Sequence, residues 1–351
     1  MSEKIEPKNR IPERKSNQEG NFYEEYHQRP GMNRRIQDLR EESVTTPATL
    51  SIERALITTR FYKENNGKYS IPMMRALNFL EICEKKAIYI GKNELIVGER
   101  GEKPKAVSTF PELTCHTVED LNVLNTRDQQ RYTISQEDIE TYRKEVIPYW
   151  QGRTQRERIF NFVPDEWKNA YEAGLFTEFM EQRAPGHTCL DGKVYKKGML
   201  DFKREINEEI ANLDYFNDPE ATDKEEQLKA MAVSCDAIIR LAGRYAEKAE
   251  ELAKEEKDAQ RKKELLQIAE VCRWVPANKP RNFWEAIQMY WFMHLGVIIE
   301  LNGWDAFNPG HFDQHLAPFY KNDLADGTLT REDAKELLSC FWIKVNNQPA
   351  P

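Results

Sequence analysis

The amino-acid sequence predicts a mostly helical fold. Apolar residues recur at three- and four-residue steps after residue 50, residues 220–273 are rich in Ala, Glu, Lys and Leu, and several helix starts carry recognisable caps. Each of these features is typical of amphipathic or locally capped α-helices. The chain has 351 residues, 40% of them apolar, which is enough to bury a large core in one large domain or two ordinary ones.

Two helices are predicted near the amino-terminal end, over residues 50–62 and 71–82, where the apolar side chains fall on one helical face. Because both apolar faces need burial, we expect these helices to pack on each other. Residues 87–90 and 94–98 are rich in β-branched side chains and are followed or closed by Gly91 and Gly98. They predict two short strands separated by a turn.

Capping residues mark later helix starts. Ser135 precedes Asp138 by three residues, and Asp218 stands before a proline and a glutamate; both patterns suit the free N–H groups of a first helical turn. The Ala- and Glu-rich stretch predicts two long helices broken near Asp258, and a last helix is predicted from Thr330 to about residue 345.

The most apolar stretch, residues 283–301, is predicted to be a helix that ends near Asn302. It carries Glu285, Gln288 and His294, polar residues that a lipid-facing span of this length tolerates poorly. We therefore expect a helix buried in protein, and no membrane association.

Composition and charge narrow the class of protein. The formal net charge of −8 gives no concentrated surplus of Lys and Arg with which to bind nucleic acid. Residues 1–33 are highly charged and poor in aliphatics, which predicts a mobile arm before a domain over residues 34–351. The start of the chain has no apolar secretory signal, and the six cysteines form no C-x-x-C pair, so a cytoplasmic protein with reduced thiols is expected.

His187 is the first candidate for a functional residue. It follows Pro185-Gly186, a turn signal that can present a titratable imidazole to a cleft from a loop. The ordinary alternative, a surface or capping histidine, is the more frequent role for a lone loop histidine.

Asp305 is the second candidate. It follows the apolar helix and lies between Trp304 and Phe307, where burial would raise the pKa of the carboxyl group and make it a useful hydrogen-bond partner. A turn or N-cap aspartate beside core aromatics is the alternative.

Other residue combinations give weaker evidence for a functional site. His311 and His315 have the four-residue spacing of metal ligands on a helix, but Phe312 stands where H-E-x-x-H has glutamate and no third ligand is indicated, so we expect no metal. Cys189 stands close to His187 in sequence, yet a plain buried thiol is favoured over a nucleophile. The chain has no P-loop and no G-x-G-x-x-G, so no nucleotide site is expected.

Several segments taken together resemble a known family. They are residues 39–43, 51–55, 93–99, 176–188, 304–307 and 346–351. In order, they resemble the pyruvate formate-lyase-like glycyl radical enzymes, and within these the trans-4-hydroxy-L-proline dehydratase branch. The similarity extends from about Arg34 to the end of the chain.

The resemblance implies an α/β fold, a ten-stranded barrel of which this chain supplies the mostly helical amino-terminal part. It implies a lyase in which an activase, using S-adenosylmethionine and an iron–sulfur cluster, installs a radical on a glycine. A cysteine thiyl then removes hydrogen from C5 of hydroxyproline, and loss of water leads to 1-pyrroline-5-carboxylate. Family members commonly form homodimers.

By position, Phe179, His187 and Asp305 match residues that line the dehydratase substrate pocket. His187 or Asp305 would assist departure of the hydroxyl group, and Phe179 would supply an apolar wall. The family's radical glycine and thiyl cysteine correspond to positions after Pro351, so this polypeptide is expected to be inactive alone.

Two alternatives remain open on sequence grounds. One is another branch of the superfamily: a diol dehydratase, a C–N or C–S lyase, an arylacetate decarboxylase or a formate acetyltransferase, which share the barrel and differ in pocket residues. The other is a non-catalytic helical interaction module.

Overall fold

The computed structural model describes residues 32–176, 190–301 and 308–348. Helices dominate this part of the chain, as predicted. The α-helices are, in chain order, α1 (Arg34–Thr45), α2 (Glu53–Asn65), α3 (Ile71–Lys85), α4 (Val118–Thr126), α5 (Gln136–Glu145), α6 (Ile147–Trp150), α7 (Gln155–Phe162), α8 (Asp165–Glu172), α9 (Met199–Ala211), α10 (Ala221–Glu255), α11 (Ala259–Trp274), α12 (Phe283–Glu300), α13 (Phe312–Ala325) and α14 (Arg331–Asn346). A 3₁₀ turn covers Asp191–Tyr195.

The predicted strands at residues 87–90 and 94–98 are wrong, because both stretches are irregular. Within the described ranges the strands are β1 (Thr49–Ser51) and β2 (Ala106–Ser108), which pair in parallel with Leu50 opposite Val107. Residues 94–100 are all buried, and we call them the buried segment. Their apolar members, Leu95, Ile96 and Val97, lie inside a shell of helices, and no strand of the described residues pairs with them.

The central element of the larger core is α12, which confirms the predicted buried helix. Fourteen of its 18 residues are buried, so it is surrounded on nearly every face; its neighbours include α10, α11, α13 and α14. Gly296 allows close packing, since a Cβ there would lie 3.0 Å from Ile238 and 3.4 Å from Phe79. Among the described residues, no helix combines the length and apolar character needed to cross a bilayer.

Each polar residue inside α12 has a partner. Arg281 donates from Nε to the Glu285 carboxylate at 2.9 Å, and the Gln288 side chain binds the backbone of Val97. The Tyr290 hydroxyl lies 3.1 Å from Nδ1 of His294. Buried polar groups are tolerated when they are hydrogen-bonded, which explains how these side chains fit in a core helix.

A smaller second core lies under the amino-terminal helices. It contains Leu50, Val107, Leu121, Tyr142 and other side chains from α2, α4, α5, β1 and β2. The two predicted helices α2 and α3 pack on each other as expected. They therefore connect the small core to the larger one, because α3 also packs against α10.

Helix starts agree with the capping residues in most cases. The Ser135 hydroxyl accepts from the Asp138 amide at 3.0 Å, Asp258 caps α11, and Thr330 forms a capping box with Asp333. The start near Asp218 differs: α10 begins at Ala221 after Glu220, with no side-chain cap. The proposed division at residue 33 stays a prediction, since most of the arm lies outside the described residues.

Candidate functional site

The three predicted site residues, Phe179, His187 and Asp305, lie outside the described residues. The structure does describe their neighbours in sequence. Residues 176 and 190 flank the segment that contains Phe179 and His187, and residues 301 and 308 flank the segment that contains Asp305.

Leu190 and Leu301 line the same groove, which has a volume of about 930 Å³. The groove is formed by side chains from α3, α9, α10 and α12. Its walls are largely apolar and include Phe79, Met199, Phe202, Ile238, Met293 and Val297. A concave, mostly apolar surface with a few polar groups is the usual form of a small-molecule site. One residue adjoining each candidate segment thus lies at the same groove, which is of a suitable kind for a small molecule.

An ion pair lies on the wall of this groove. Arg75 of α3 donates from Nε to the carboxylate of Glu300, the last residue of α12, at 3.1 Å. Burial alone would lower the pKa of Arg75, but the Glu300 charge and hydrogen bond raise it above its usual value. Since the Glu300 carboxylate is held by Arg75, it is a poor candidate for the acid or base of a reaction.

The carboxyl-terminal end of α12 is bound by Arg54 of α2. This guanidinium donates from Nε to the Ile299 carbonyl oxygen at 2.6 Å and from Nη2 to the Glu300 carbonyl oxygen at 3.4 Å. It also forms a two-point ion pair with the Glu112 carboxylate at 2.6 and 3.1 Å. The last carbonyl groups of a helix lack partners within the helix, so Arg54 caps α12 from a distant part of the chain.

A buried lysine forms ion pairs with two glutamates of the buried segment. Lys344 of α14 is 3% exposed, and its Nζ donates to Glu99 at 2.5 Å and also to Glu94. Burial alone would lower the pKa of Lys344, but the two carboxylates raise it well above its usual value. The Gln348 amide donates to the other oxygen of Glu99 at 2.7 Å. We call Lys344, Glu94 and Glu99 the buried charge cluster.

The cysteines of the described residues are all free, and they are Cys83, Cys115, Cys235, Cys272 and Cys340. Burial raises the pKa of each thiol, so none is poised as a thiolate nucleophile. Cys189 lies outside the described residues.

Two histidines that the structure describes have partners within the fold. His315 stacks on Tyr195 with the ring centroids 5.1 Å apart and lies 3.4 Å from the Asp191 carboxylate. Burial, with the charge of Arg100, lowers the pKa of His294 to about 4. Among the described residues no group of three His, Cys, Asp or Glu side chains is arranged to hold a metal ion.

Sequence reasoning missed Arg54, Glu112 and Lys344. Arg54 lies within residues 51–55, which contribute to the family resemblance, but its partner at Ile299 is 245 residues away. The partner of Lys344 at Glu94 is 250 residues away. A single sequence contains no periodicity that links such distant positions, so no local signal could have found these residues.

The sequence profile of the pyruvate formate lyase-like family matches residues 29–351, and the chain therefore belongs to this family of glycyl radical enzymes. The described helices, with the irregular segment buried among them, are consistent with the amino-terminal region of that fold. The family prediction, made from a resemblance that extends from about Arg34 to the end of the chain, is confirmed.

Among individual proteins, the chain is 51% identical over 317 residues to the trans-4-hydroxy-L-proline dehydratase of Clostridioides difficile, covering 90% of this chain and 40% of that protein. It is 33% identical to the isethionate sulfite-lyase of Nitratidesulfovibrio vulgaris, covering 88% and 38%. The chain thus spans about 40% of the length of these relatives.

A crystal structure of the Clostridioides difficile hydroxyproline dehydratase with trans-4-hydroxy-L-proline bound superposes with a TM-score of 0.88 and 51% identity, covering 92% of this chain and 41% of that one. This likeness confirms the predicted fold class. The chain corresponds to the mostly helical amino-terminal part of the glycyl radical enzyme fold.

Proposed function

We propose that this chain is the amino-terminal part of a glycyl radical hydro-lyase that converts trans-4-hydroxy-L-proline to 1-pyrroline-5-carboxylate. The observation that carries the proposal is the 51% identity, over 90% of the chain, with a protein named for that dehydration. The 33% identity with a sulfite-lyase is clearly lower, which favours the dehydratase branch over a C–S lyase.

The substrate site is proposed to form where the segments that contain His187 and Asp305 adjoin the apolar groove. Two geometric facts support this placement: Leu190 and Leu301 both line the groove, and the nearby Glu300 carboxylate is already neutralised by Arg75. A substrate with a charged amine and carboxylate needs a few polar groups in an otherwise apolar site.

Each proposed site residue has a role in water loss. Hydroxide is a poor leaving group, so a proton or hydrogen bond supplied by His187 or Asp305 to the 4-hydroxyl would lower the barrier. Phe179 would hold the ring and exclude water from a reactive site.

The family's chemistry also requires a protein radical, which would remove a hydrogen atom from C5 of the substrate. We propose that the glycine and cysteine carrying it correspond to the part of the relatives that this chain does not span. A radical-activating enzyme with S-adenosylmethionine and an iron–sulfur cluster is the proposed partner. A homodimer is expected for the complete enzyme.

The test uses the whole-frame protein, defined as the product of the whole open reading frame that encodes this chain. After incubation with an activating enzyme, we expect a glycyl radical signal by electron paramagnetic resonance and formation of 1-pyrroline-5-carboxylate from hydroxyproline. His187→Ala and Asp305→Ala should each lower turnover by roughly 100-fold or more. His311→Ala, at an exposed helix start, is the matched control and should change turnover less than twofold.

A substrate panel separates the proposal from other branches of the family. The panel contains hydroxyproline, a 1,2-diol, glycerol, isethionate and an arylacetate. Turnover of another member, with hydroxyproline untouched, would contradict the dehydratase assignment while leaving the family intact. A glycyl radical signal from residues 1–351 alone would contradict the placement of the radical glycine.

A further inference from the structure

Residues 154–176 form a short helical hairpin that carries a cluster of aromatic side chains. Helices α7 and α8 meet through Phe160, whose ring centroid lies 5.6 Å from that of Trp167 and 5.3 Å from that of Tyr171. The rings of Trp167 and Tyr171 stack at 5.6 Å, and Phe176 packs on Trp167 at 5.0 Å. We call residues 154–176 the aromatic hairpin.

The aromatic hairpin is joined to the rest of the fold at its first residues. The buried Thr154 caps α7, and the Gln155 amide donates to the Glu112 carbonyl oxygen at 2.9 Å. The Arg156 amide donates to the Leu113 carbonyl oxygen at 3.0 Å. These bonds fix the start of α7 and therefore the direction in which the hairpin leaves the fold.

Neither helix of the aromatic hairpin contains a buried residue. Phe162, at the end of α7, is 93% exposed, and Leu175, which follows α8, is 78% exposed. Each helix has eight residues, and helices this short are marginal unless an apolar face packs on another surface. Large apolar side chains left exposed together mark an interaction surface. The hairpin thus lacks part of the apolar contact that its helices need.

The charges of the aromatic hairpin favour an apolar partner over a strongly charged one. Its three basic side chains are offset by four acidic ones. Lys168 pairs with Asp165 at 3.3 Å, and the Arg156 guanidinium donates to the Tyr171 hydroxyl at 3.0 Å. A nucleic acid or an anionic membrane is bound by a surplus of basic side chains, which this surface does not have. It fits an apolar protein face.

The length of the relatives indicates where that face comes from. The chain covers 40% of the trans-4-hydroxy-L-proline dehydratase and 38% of the isethionate sulfite-lyase. A second protein that docks on the hairpin has to give up translational and rotational freedom. Another part of the same polypeptide is already linked to the hairpin and gives up much less. The same polypeptide is therefore favoured over a second copy of the chain.

We propose that the aromatic hairpin is a docking surface for the part of the whole-frame protein that follows residue 351, which covers Phe162 and Leu175 with an apolar face. The proposal rests on the proposed function in one respect, that this chain is the amino-terminal part of a longer protein. It applies equally to every branch of the family. Docking then stabilises α7 and α8, which bury no residue by themselves.

Oxidative footprinting of the whole-frame protein tests whether the hairpin is covered, and it requires neither activation nor turnover. We expect oxidation of Phe162 and Leu175 to be slower than in the urea-unfolded protein by roughly 10-fold or more. Oxidation of both side chains at nearly the unfolded rate would show that the hairpin stays open, and the proposal would be wrong.

Phe162→Ser and Asn161→Ser are matched variants at neighbouring exposed positions of α7. In the whole-frame protein, Phe162→Ser should speed hydrogen exchange of the α7 and α8 amides by roughly 10-fold, and Asn161→Ser by less than about twofold. The expected difference arises because only the first variant removes an apolar contact with the docked part. Equal exchange rates in the two variants would contradict the proposal.

Cross-linking identifies what covers the hairpin. In whole-frame protein assembled from light- and heavy-isotope chains, Lys168 should be cross-linked to residues after 351 of its own chain. Cross-links between a light and a heavy chain would identify a second copy and overturn the proposal, as would a reading frame that ends at residue 351. A covered hairpin in a protein that does not turn over hydroxyproline would contradict the proposed substrate and leave the docking surface supported.

Discussion

At the exposed starts of helices α5 and α14, the capping hydroxyl accepts from an amide three residues away: Ser135 accepts from the Asp138 amide at 3.0 Å and Thr330 from the Asp333 amide at 3.1 Å. In the buried segment, residues 94–100, the partners of the backbone lie much further along the chain. The Glu99 amide is bound by the Tyr245 hydroxyl, 146 residues away, and the Gly98 carbonyl by the Trp291 indole, 193 residues away.

The difference shows two ways in which backbone N–H and C=O groups obtain hydrogen-bond partners. A surface helix can use a neighbour in sequence and can also use water, so losing one cap costs little. In the buried segment, the amide and carbonyl of Val97, the Glu99 amide and the Gly98 carbonyl each depend on one side chain from a surrounding helix, because buried backbone groups need a hydrogen-bond partner. We therefore expect disruption of the buried segment to cost far more than disruption of a surface cap.

The largest effect is expected for Lys344→Met, which breaks the buried charge cluster. The change leaves the Glu94 and Glu99 carboxylates buried without their cation, and losing one partner of a buried ion pair costs about 3–5 kcal/mol. Urea unfolding of the chain measures the loss. Lys144→Met, at a 62% exposed lysine paired with Glu140, is the control and should change the free energy of unfolding by less than about 0.5 kcal/mol.

The next largest loss of stability is expected at Gln288, whose side chain hydrogen-bonds two backbone groups. Gln288 accepts from the Val97 amide at 2.9 Å and donates to the Val97 carbonyl at 2.8 Å. Gln288→Met keeps the size but leaves both groups without a partner, so we expect a loss of about 2–4 kcal/mol by chemical denaturation. The control is Met289→Leu, a fully buried neighbour that should cost less than about 1.5 kcal/mol; equal losses would contradict the role of the amide.

A smaller, pH-dependent effect on stability is expected from His294. The pKa of His294 is lowered to about 4 by burial and by Arg100, against about 6.5 in the unfolded chain. The unfolded state binds more protons between these values, so the stability from neutral His294 is complete above about pH 6.5 and is lost as the pH falls towards 4. The loss is of the order of 3 kcal/mol.

Thermal unfolding of the parent chain and of His294→Gln between pH 4 and pH 7.5 isolates this contribution. The melting temperature of the parent should fall faster with decreasing pH than that of the variant. Parallel curves would show that His294 does not titrate in this way.

The smallest effect is expected at the surface cap of α5. Ser135→Ala removes the acceptor for the Asp138 amide and should lower the free energy of unfolding by about 1 kcal/mol. Ser135→Asp keeps an acceptor and should recover most of that loss. A Ser135→Ala penalty as large as that of Gln288→Met would remove the proposed contrast between the two regions.

Much of the helical layout was predictable from the sequence. Each of these signals involves residues that are close in sequence. They are the apolar faces of α2 and α3, the caps at Ser135 and Thr330, and the break before Asp258. The buried helix α12 was recognised from its length and apolar content. The strand predictions at 87–90 and 94–98 failed because β-branched composition indicates burial but does not supply a partner strand.

The candidate site was predictable only through the family resemblance. No local pattern distinguishes His187 or Asp305 from an ordinary loop histidine or turn aspartate. The structure adds that one residue beside each segment, Leu190 and Leu301, lines the same groove. The convergence of His187 and Asp305 stays a prediction. Arg54 and Glu112 had no predicted role at all.

By itself, the sequence determined where helices start and stop and which family the chain resembles, because caps, periodicity and motifs involve residues that are close along the chain. Only the tertiary structure decided how residues 94–100 are held, why Lys344 is tolerated in the core and what caps α12. Those outcomes depend on contacts across 146 to 250 residues, and such contacts exist only once packing has excluded water from the groups that make them.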